Sequence, residues 1–273
     1  MPVEDSGSEA PYLLVGRGRL ARHLARYFDL LGVPYVDWAR SDGPDALEAR
    51  ASGARAVVIL IPDDRIESFV ETHDRRLGDA PRVHCSGARR IEGVTGCHPL
   101  GSFGETLFSE QLYRTLHFIV EAGPPGSAAS SGFDDLFPDL PNPHTTIRDE
   151  DRVRYHGAAV LSGNFTAILW RRAAETFTTL GLPRSAWGAY LETVALNIRA
   201  DVGSAVTGPV TRGDAGTIAA HLHELGDSPW AEVYRSILGA VGVVDPTRGQ
   251  SGPDARLTTA GASPARMTAT AIR

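Results

Sequence analysis

Between Pro11 and Ala122 the apolar residues fall into short runs, and the stretches between several of those runs have a helical period. Tyr12 to Val15 (YLLV) is unbroken and predicts a strand buried on both faces. After it Leu20, Leu24, Tyr27, Phe28 and Leu31 recur with helical spacing. VPYVDW, AVVILI (Ala56 to Ile61), RVHC, a short run near Val94 and LHFIVEA each predict a further strand. Strands separated by helices predict an α/β fold class, a doubly wound Rossmann-type parallel sheet over residues 11–147.

The texture changes after Ala122. GPPGSAASSG reads as loop, and FPDLPNPHTTI sets turn formers around a short β-like run. From Arg148 the pattern is helical. One long segment reaches Thr179 and is closed by Leu180-Gly181, and a second carries Trp187, Tyr190, Leu191, Val194 and Ile198 on one face. A third begins near Asp214 and a fourth at Ser228-Pro229, an N-cap followed by proline at the first helical position. These predict an all-α domain over residues 148–244. From Asp245 to Arg273 Gly, Pro, Thr, Ser and Arg dominate without period, which predicts a disordered tail. No internal repeat is present.

At 273 residues the chain has room for two modest domains, and 42% hydrophobic residues suffice for a core. A formal charge of -6 with no basic stripe argues against a nucleic-acid partner. Two cysteines make no disulfide framework, which favours a reducing compartment. No apolar run approaches the roughly 18 residues a membrane span needs, and MPVEDSGSEAP lacks the order of a signal peptide. The expectation is a cytoplasmic protein with no membrane partner.

Directly after the first strand, Gly16-Arg17-Gly18-Arg19-Leu20-Ala21 forms a G-x-G-x-x-A loop that opens a helix. The first glycine allows a tight turn, the second lets the backbone approach a pyrophosphate, and Ala21 lets helix and sheet pack closely. The helix N-terminus supplies free N–H groups and positive dipole for the phosphates. The end of the second strand chooses between dinucleotides. Asp37 lies inside its apolar run, whereas Arg40-Ser41 stands where the strand gives way to polar loop. Arginine and hydroxyl there suit a 2′-phosphate, so NADP is expected before NAD.

Within the long helical segment His156, Val160 and Asn164 stand at i, i+4 and i+8, one slanted row among Gly and Ala. Facing a nicotinamide, the imidazole suits proton exchange near neutral pH and the carboxamide suits orientation of a C=O or C=N group. The bland alternative is a buried histidine and asparagine satisfied by backbone. Thr207-Gly208-Pro209-Val210-Thr211-Arg212-Gly213-Asp214 joins two helices. Thr207, Arg212 and Asp214 suit a polar lid over an anionic substrate, or simply a rigid interhelical turn.

Together G-R-G-R-L-A, Ile61-Pro62-Asp63-Asp64, H-C-S-G, G-C-H-P-L-G-S-F, the H…S-G-N helix and T-G-P-V-T-R-G-D resemble one bacterial group. It joins a Rossmann-like domain to the domain of unknown function 2520, and the likeness covers residues 11 to 244. The group resembles, more distantly, the 6-phosphogluconate dehydrogenase-like superfamily, which includes pyrroline-5-carboxylate reductase, ketopantoate reductase and prephenate dehydrogenase. The resemblance implies NADP-linked hydride transfer between a Rossmann domain and a helical, often dimerising, domain. β-Hydroxyacid dehydrogenases of that superfamily carry Lys-x-x-x-Asn on the corresponding helix, and here the lysine position is Val160. His156, one turn earlier, is the inferred substitute.

That fold makes Val83 to Cys85 a fourth strand with Ser86-Gly87 at its carboxyl end. Val94 to Cys97 becomes a fifth, ending at His98-Pro99-Leu100-Gly101-Ser102. The segment then forms a pocket floor, with Ser86, His98 and Ser102 toward substrate and Ile61-Pro62-Asp63 beside the nicotinamide ribose. A zinc site is disfavoured because neighbours such as His84 and Cys85 point to opposite faces of a strand. A serine nucleophile at Ser86 lacks the G-x-S-x-G elbow. The expected function is an NADP-dependent oxidoreductase acting on C=O or C=N of a small polar substrate, with His156 as proton donor, Asn164 orienting, and His98 as second donor candidate. A non-catalytic NADP-binding sensor and a deazaflavin-linked oxidoreductase are the alternatives. A homodimer is expected from the resemblance and from the apolar helical faces.

Overall fold

The structure, a computed structural model, describes residues 10–122 and 132–247. The chain divides into two compact units, residues 1–176 and 177–273.

Seven strands form one sheet in the first unit: β1 (Tyr12–Val15), β2 (Tyr35–Trp38), β3 (Val57–Ile59), β4 (Arg82–His84), β5 (Thr95–Leu100), β6 (His117–Glu121) and β7 (His144–Ile147). Their order is β2-β1-β3-β4-β5-β6-β7. Every neighbouring pair is parallel except β5 and β6. The continuous apolar runs follow from burial on both faces, since every residue of β1 and β3 is buried. Tyr12 and Leu14 face Leu24, Tyr27 and Phe28 of α1 (Arg19–Leu31). Leu13 and Val15 point the other way, to Leu47 of α2 (Pro44–Ala51) and to Ile66 and Val70 of α3 (Ile66–Leu77). Two short helices, α4 (Glu110–Thr115) and α5 (Phe133–Leu136), flank β6 in sequence. Most of the expected GPPGSAASSG loop, residues 123–131, lies outside the described residues.

The sheet corrects one expectation. β5 does not end at Cys97 but continues through His98 and Pro99 to Leu100. Only its first residues pair with β4, Val83 with Thr95 and His84 with Gly96. The remainder is held from the other side by β6, with Cys97 opposite Val120 and His98 opposite Ile119. β5 therefore overhangs the end of β4, and His98 stands on a strand rather than in the turn after it.

The long helical segment comprises α6 (Arg152–Ala159), a π turn (Val160–Phe165) and α7 (Thr166–Thr179). The first unit extends beyond the 147/148 step in sequence texture because α6 sends Arg152 and Tyr155 onto the sheet. Arg152 pairs with Glu121 of β6, and Tyr155 bonds His98 of β5.

In the second unit α8 (Arg184–Ala200) is followed by α9 (Pro209–Arg212), α10 (Ala215–Leu225) and α11 (Pro229–Ala240). Ile218, Leu222 and Leu238 form its core. Asp214 and Ser228 occupy the N-cap positions of α10 and α11, as expected, yet neither side chain caps its helix. Asp214 turns instead to Arg212, 2.8 Å away, and Ser228 Oγ is buried with no hydrogen-bond partner among the described residues. The tail expected from Asp245 begins as an ordered turn: Asp245 pairs with Arg235 at 3.0 Å and accepts the Thr247 N–H. Residues 248–273 lie outside the described residues. Among the described residues no helix is long and apolar enough to cross a membrane.

Candidate cofactor and active site

β2 and β3 flank β1, so the chain reverses direction across the sheet at the carboxyl end of β1. Open α/β sheets bind ligands at such a switch point. Gly16 occupies it with φ 118°, and a Cβ there would lie 2.5 Å from the Leu60 carbonyl oxygen. Its N–H donates to Trp38 O at 2.7 Å, which ties the loop to the end of β2. Gly18 differs: its φ is -73°, and its missing Cβ faces open space. Gly18 is also the N-cap of α1, where no side chain caps the helix and no acid sits in the first turn. The N–H groups of Arg19, Leu20 and Ala21 and the helix dipole are thereby available to an anion.

The ribose end holds an ion-pair chain. Arg17 lies 2.7 Å from Asp37 and 2.9 Å from Asp42, and Arg50 lies 2.8 Å from Asp42. The Arg50 hydrogen bond, helped by the Ala39 N–H and by Arg17, holds Asp42 down at about 2. Asp37 is half exposed although it lies within an apolar run, because β2 is the edge strand. Arg40 and Ser41 form a 3-10 turn with Asp42 just beyond β2, and both are exposed. Among the described residues Arg40 enters no ion pair, whereas Arg17 and Arg50 are engaged by the two aspartates.

At the carboxyl end of β4 the polar groups are tightly organised. Ser86 Oγ donates to Asp63 Oδ2 at 2.6 Å and accepts the N–H groups of Ala88 and Arg89 at 3.3 and 3.1 Å. The hydroxyl is thus fully committed, and it ties Ile61-Pro62-Asp63 beyond β3 to the end of β4. The Ser86 N–H donates to His84 Nδ1 at 3.2 Å, so the His84 proton resides on Nε2, which is buried with no hydrogen-bond partner among the described residues. Burial, with Arg152 nearby, lowers His84 to about 4. Burial likewise pushes the Cys85 thiol up to about 12 and Cys97 well above its ordinary value, which disfavours the thiolate that binds zinc.

His98 overhangs this turn from β5. Its Nδ1 lies 2.6 Å from Tyr155 Oη, and its ring meets that of His156 edge-on at 6.0 Å between centroids. Burial first, then the neighbouring His156, lowers His98 to about 4. At neutral pH it carries a single ring proton, which weighs against the alternative in which it, and not His156, is the proton donor. Gly87 makes the gathering possible: a Cβ there would lie 2.5 Å from His156 Cδ2 and 3.2 Å from His98 Nε2.

The row expected along α6 passes through the π turn. Eight residues at about 100° each would leave Asn164 about 80° off the line of His156, whereas a π turn absorbs one residue and leaves about 20°. Asn164 is exposed and His156 half-buried. Ser102 is exposed in the loop after β5. In the second unit Thr207 is exposed, and the paired Arg212 and Asp214 neutralise one another.

Sequence reasoning missed several residues of this site. Tyr155, adjacent to His156, has no signature of its own. Arg152 and Glu121 form a buried ion pair at 2.9 Å, with Arg152 also donating to Arg89 O and Glu121 accepting the Gly96 N–H. An arginine in a first helical turn and a glutamate ending an apolar strand were the available signals.

The family model described as a domain of unknown function (DUF2520) matches residues 116–240, which include His156, Asn164, Thr207, Arg212 and Asp214. Among solved structures, a candidate NADP oxidoreductase of Bacteroides fragilis superposes with a TM-score of 0.63 at 22% identity, covering 85% of this chain and 98% of that one. A protein of Thermotoga maritima gives 0.59 at 24%, covering 87% and 99%. Pyrroline carboxylate reductase of Plasmodium falciparum, solved with NADP bound, gives 0.55 at 11%, covering 85% and 99%. These likenesses establish a shared fold. No curated protein sequence matches the chain.

Proposed function

We propose that this chain, residues 116–240 of which match the DUF2520 model, is an NADP-dependent oxidoreductase acting on a C=O or C=N group of a small polar substrate. One observation carries the reading. The Gly16 loop opens onto an uncapped helix N-terminus at the switch point, and Asp63 and Ser86, beyond the ends of β3 and β4, gather near His98 of β5 and His156 of α6. The residues fit the dinucleotide: Gly16 tolerates no side chain against Leu60, while the open space at Gly18 admits a pyrophosphate to the backbone. Arg40 with Ser41 takes the 2′-phosphate, and Pro62-Asp63 borders the nicotinamide ribose. Bound NADPH supplies hydride. The hydride goes to the carbon of the C=O or C=N group, His156 gives the proton to its oxygen or nitrogen, and Asn164 orients the substrate. The NADP-linked names among the structural relatives agree with this reading.

Helices α7 and α8 bury no residue, and Leu161, Phe165, Ile168 and Leu169 are exposed close together in sequence. So much exposed apolar surface supports a homodimer, which sedimentation equilibrium tests.

Calorimetric titration with NADPH and with NADH, on wild type and Arg40→Asp, tests the cofactor assignment. Tight NADPH binding that the variant reverses in favour of NADH is expected. Failure of both cofactors to bind overturns the reading. Binding without NADPH consumption across keto acids and cyclic imines would favour a sensor.

A further inference from the structure

The floor contains a tyrosine-histidine pair that the proposed hydride transfer has not used. We propose that Tyr155 locks His98 as the neutral tautomer whose Nε2–H faces the floor beside Gly87 and His156, and that this N–H is the hydrogen-bond donor to the carbonyl oxygen or imine nitrogen of the substrate. The inference rests on the oxidoreductase reading for its ligand, but not for its tautomer.

The direction of the Tyr155–His98 bond follows from its length and chemistry. At 2.6 Å between Oη and Nδ1 it lies in the range of O–H donors, below the 2.9–3.0 Å or so usual for N–H donors. A phenol is also the better donor and an imidazole nitrogen the better acceptor. Burial pushes Tyr155 up to about 12, so the phenol keeps the proton it donates. With Nδ1 accepting, the proton of neutral His98 resides on Nε2.

The same molecule contains a second pair that shows what Nε2–H does when satisfied. His23 Nε2 lies 3.0 Å from Gly104 O, which can only accept, so His23 Nδ1 accepts from Tyr113 Oη at 2.9 Å. There the tyrosine fixes the ring and a backbone carbonyl takes the Nε2 proton. At His98 the tyrosine is present, but among the described residues no protein acceptor meets Nε2. That nitrogen lies 3.2 Å from the position a Gly87 Cβ would occupy, on the side of His156. The groups around the ring are Asp63, whose carboxylate accepts from Ser86, His156, and Arg152, whose charge is held by Glu121. None of these is bonded to Nε2. A fixed neutral donor on a strand is suited to an atom that gains negative charge as hydride arrives, because it needs no reorganisation at that moment. Tyr155 is then a positioning residue and His98 the catalytic one.

The experiment is long-range 15N–1H correlation on the full-length protein, labelled at histidine, at pH 7. A His98 spectrum with Nδ1 unprotonated and Nε2 protonated is expected, and Tyr155→Phe should mix or invert the tautomers. An Nδ1–H tautomer in wild type, or an unchanged ratio in Tyr155→Phe, overturns the proposal. NADPH consumption with pyruvate and with 1-pyrroline as probes supplies the second readout. Tyr155→Phe and His98→Phe should lower kcat about 10–100-fold with the KM for NADPH unchanged. His98→Gln, which can return an N–H near the Nε2 position, should recover part of it. Equal losses in the Gln and Phe variants would overturn the donor role. If neither probe is reduced and NADPH does not bind, the oxidoreductase reading fails, while the tautomer measurement still decides the pair.

Discussion

Gly87 and His156 are in such close approach that no side chain fits between them: a Cβ on Gly87 would stand 2.5 Å from His156 Cδ2. Because the turn after β4 is also fixed by the Ser86–Asp63 bond, the imidazole rather than the turn must yield. Gly87→Ala should therefore displace His156 and lower turnover by about 10². NADPH affinity should stay within twofold or so, since the pyrophosphate cradle lies two strands away, and overpacking should cost about 1–3 kcal/mol. Calorimetry alongside single-turnover hydride transfer checks the split. Equal losses of binding and transfer would contradict it.

Arg152 and Glu121 fasten the start of α6 to β6 from inside the protein. Both side chains are less than a tenth exposed, and burial raises Glu121 more than Arg152 lowers it. The carboxylate is thus held at a desolvation cost, and removing one partner leaves the other buried with only a longer ion pair, Arg152 to Asp149 at 3.6 Å or Glu121 to Arg90 at 3.7 Å. Glu121→Gln should cost about 3–5 kcal/mol in urea unfolding, and Arg152→Met with Glu121→Leu should recover much of that. A single variant as stable as wild type would show that the pair does not anchor the helix.

The buried histidines set an acid limit. His84 titrates near 4 in the folded protein against 6.5 ordinarily, and His98 shifts the same way. As pH falls below 6.5 the unfolded chain takes up protons that the folded one refuses. Stability is therefore full above 6.5 and is lost progressively toward 4. For His84 alone the loss between pH 7 and pH 5 should be about 2 kcal/mol. Urea unfolding at both values, on wild type and His84→Gln, reads the slope, which the variant should reduce.

How much of this was legible in the sequence depended on whether a signal was local. β1 and β3 were legible because burial on both faces demands unbroken apolar runs. The Gly16 loop was legible because its requirements are those of one turn. β5 was misjudged since Thr95-Gly96-Cys97-His98-Pro99-Leu100 contains Gly and Pro, and its length is set by β6 rather than by its own propensity. The π turn gave no signal because it depends on how the helix is held, not on any residue type within it. Tyr155, Arg152 and Glu121 entered the site only through partners 57 and 31 positions apart in the chain, His98 for the first and each other for the rest.

The two glycines of the loop separate folding from binding. Gly16 has φ 118° and backbone against its missing Cβ, so Gly16→Ala should destabilise the protein by about 1–3 kcal/mol or more whether or not cofactor is present. Gly18 has φ -73° and nothing within 4 Å, so alanine fits the free protein and should cost no more than about 1 kcal/mol as an N-cap change. The added methyl occupies the space a pyrophosphate would need. Gly18→Ala should therefore weaken NADPH by about tenfold or more, near 1.4 kcal/mol, in a protein that melts almost as wild type does. Thermal unfolding and calorimetry on the pair distinguish these outcomes. If Gly18→Ala binds NADPH as tightly as wild type, the cofactor does not lie across this loop, and the switch-point argument for the site falls with it.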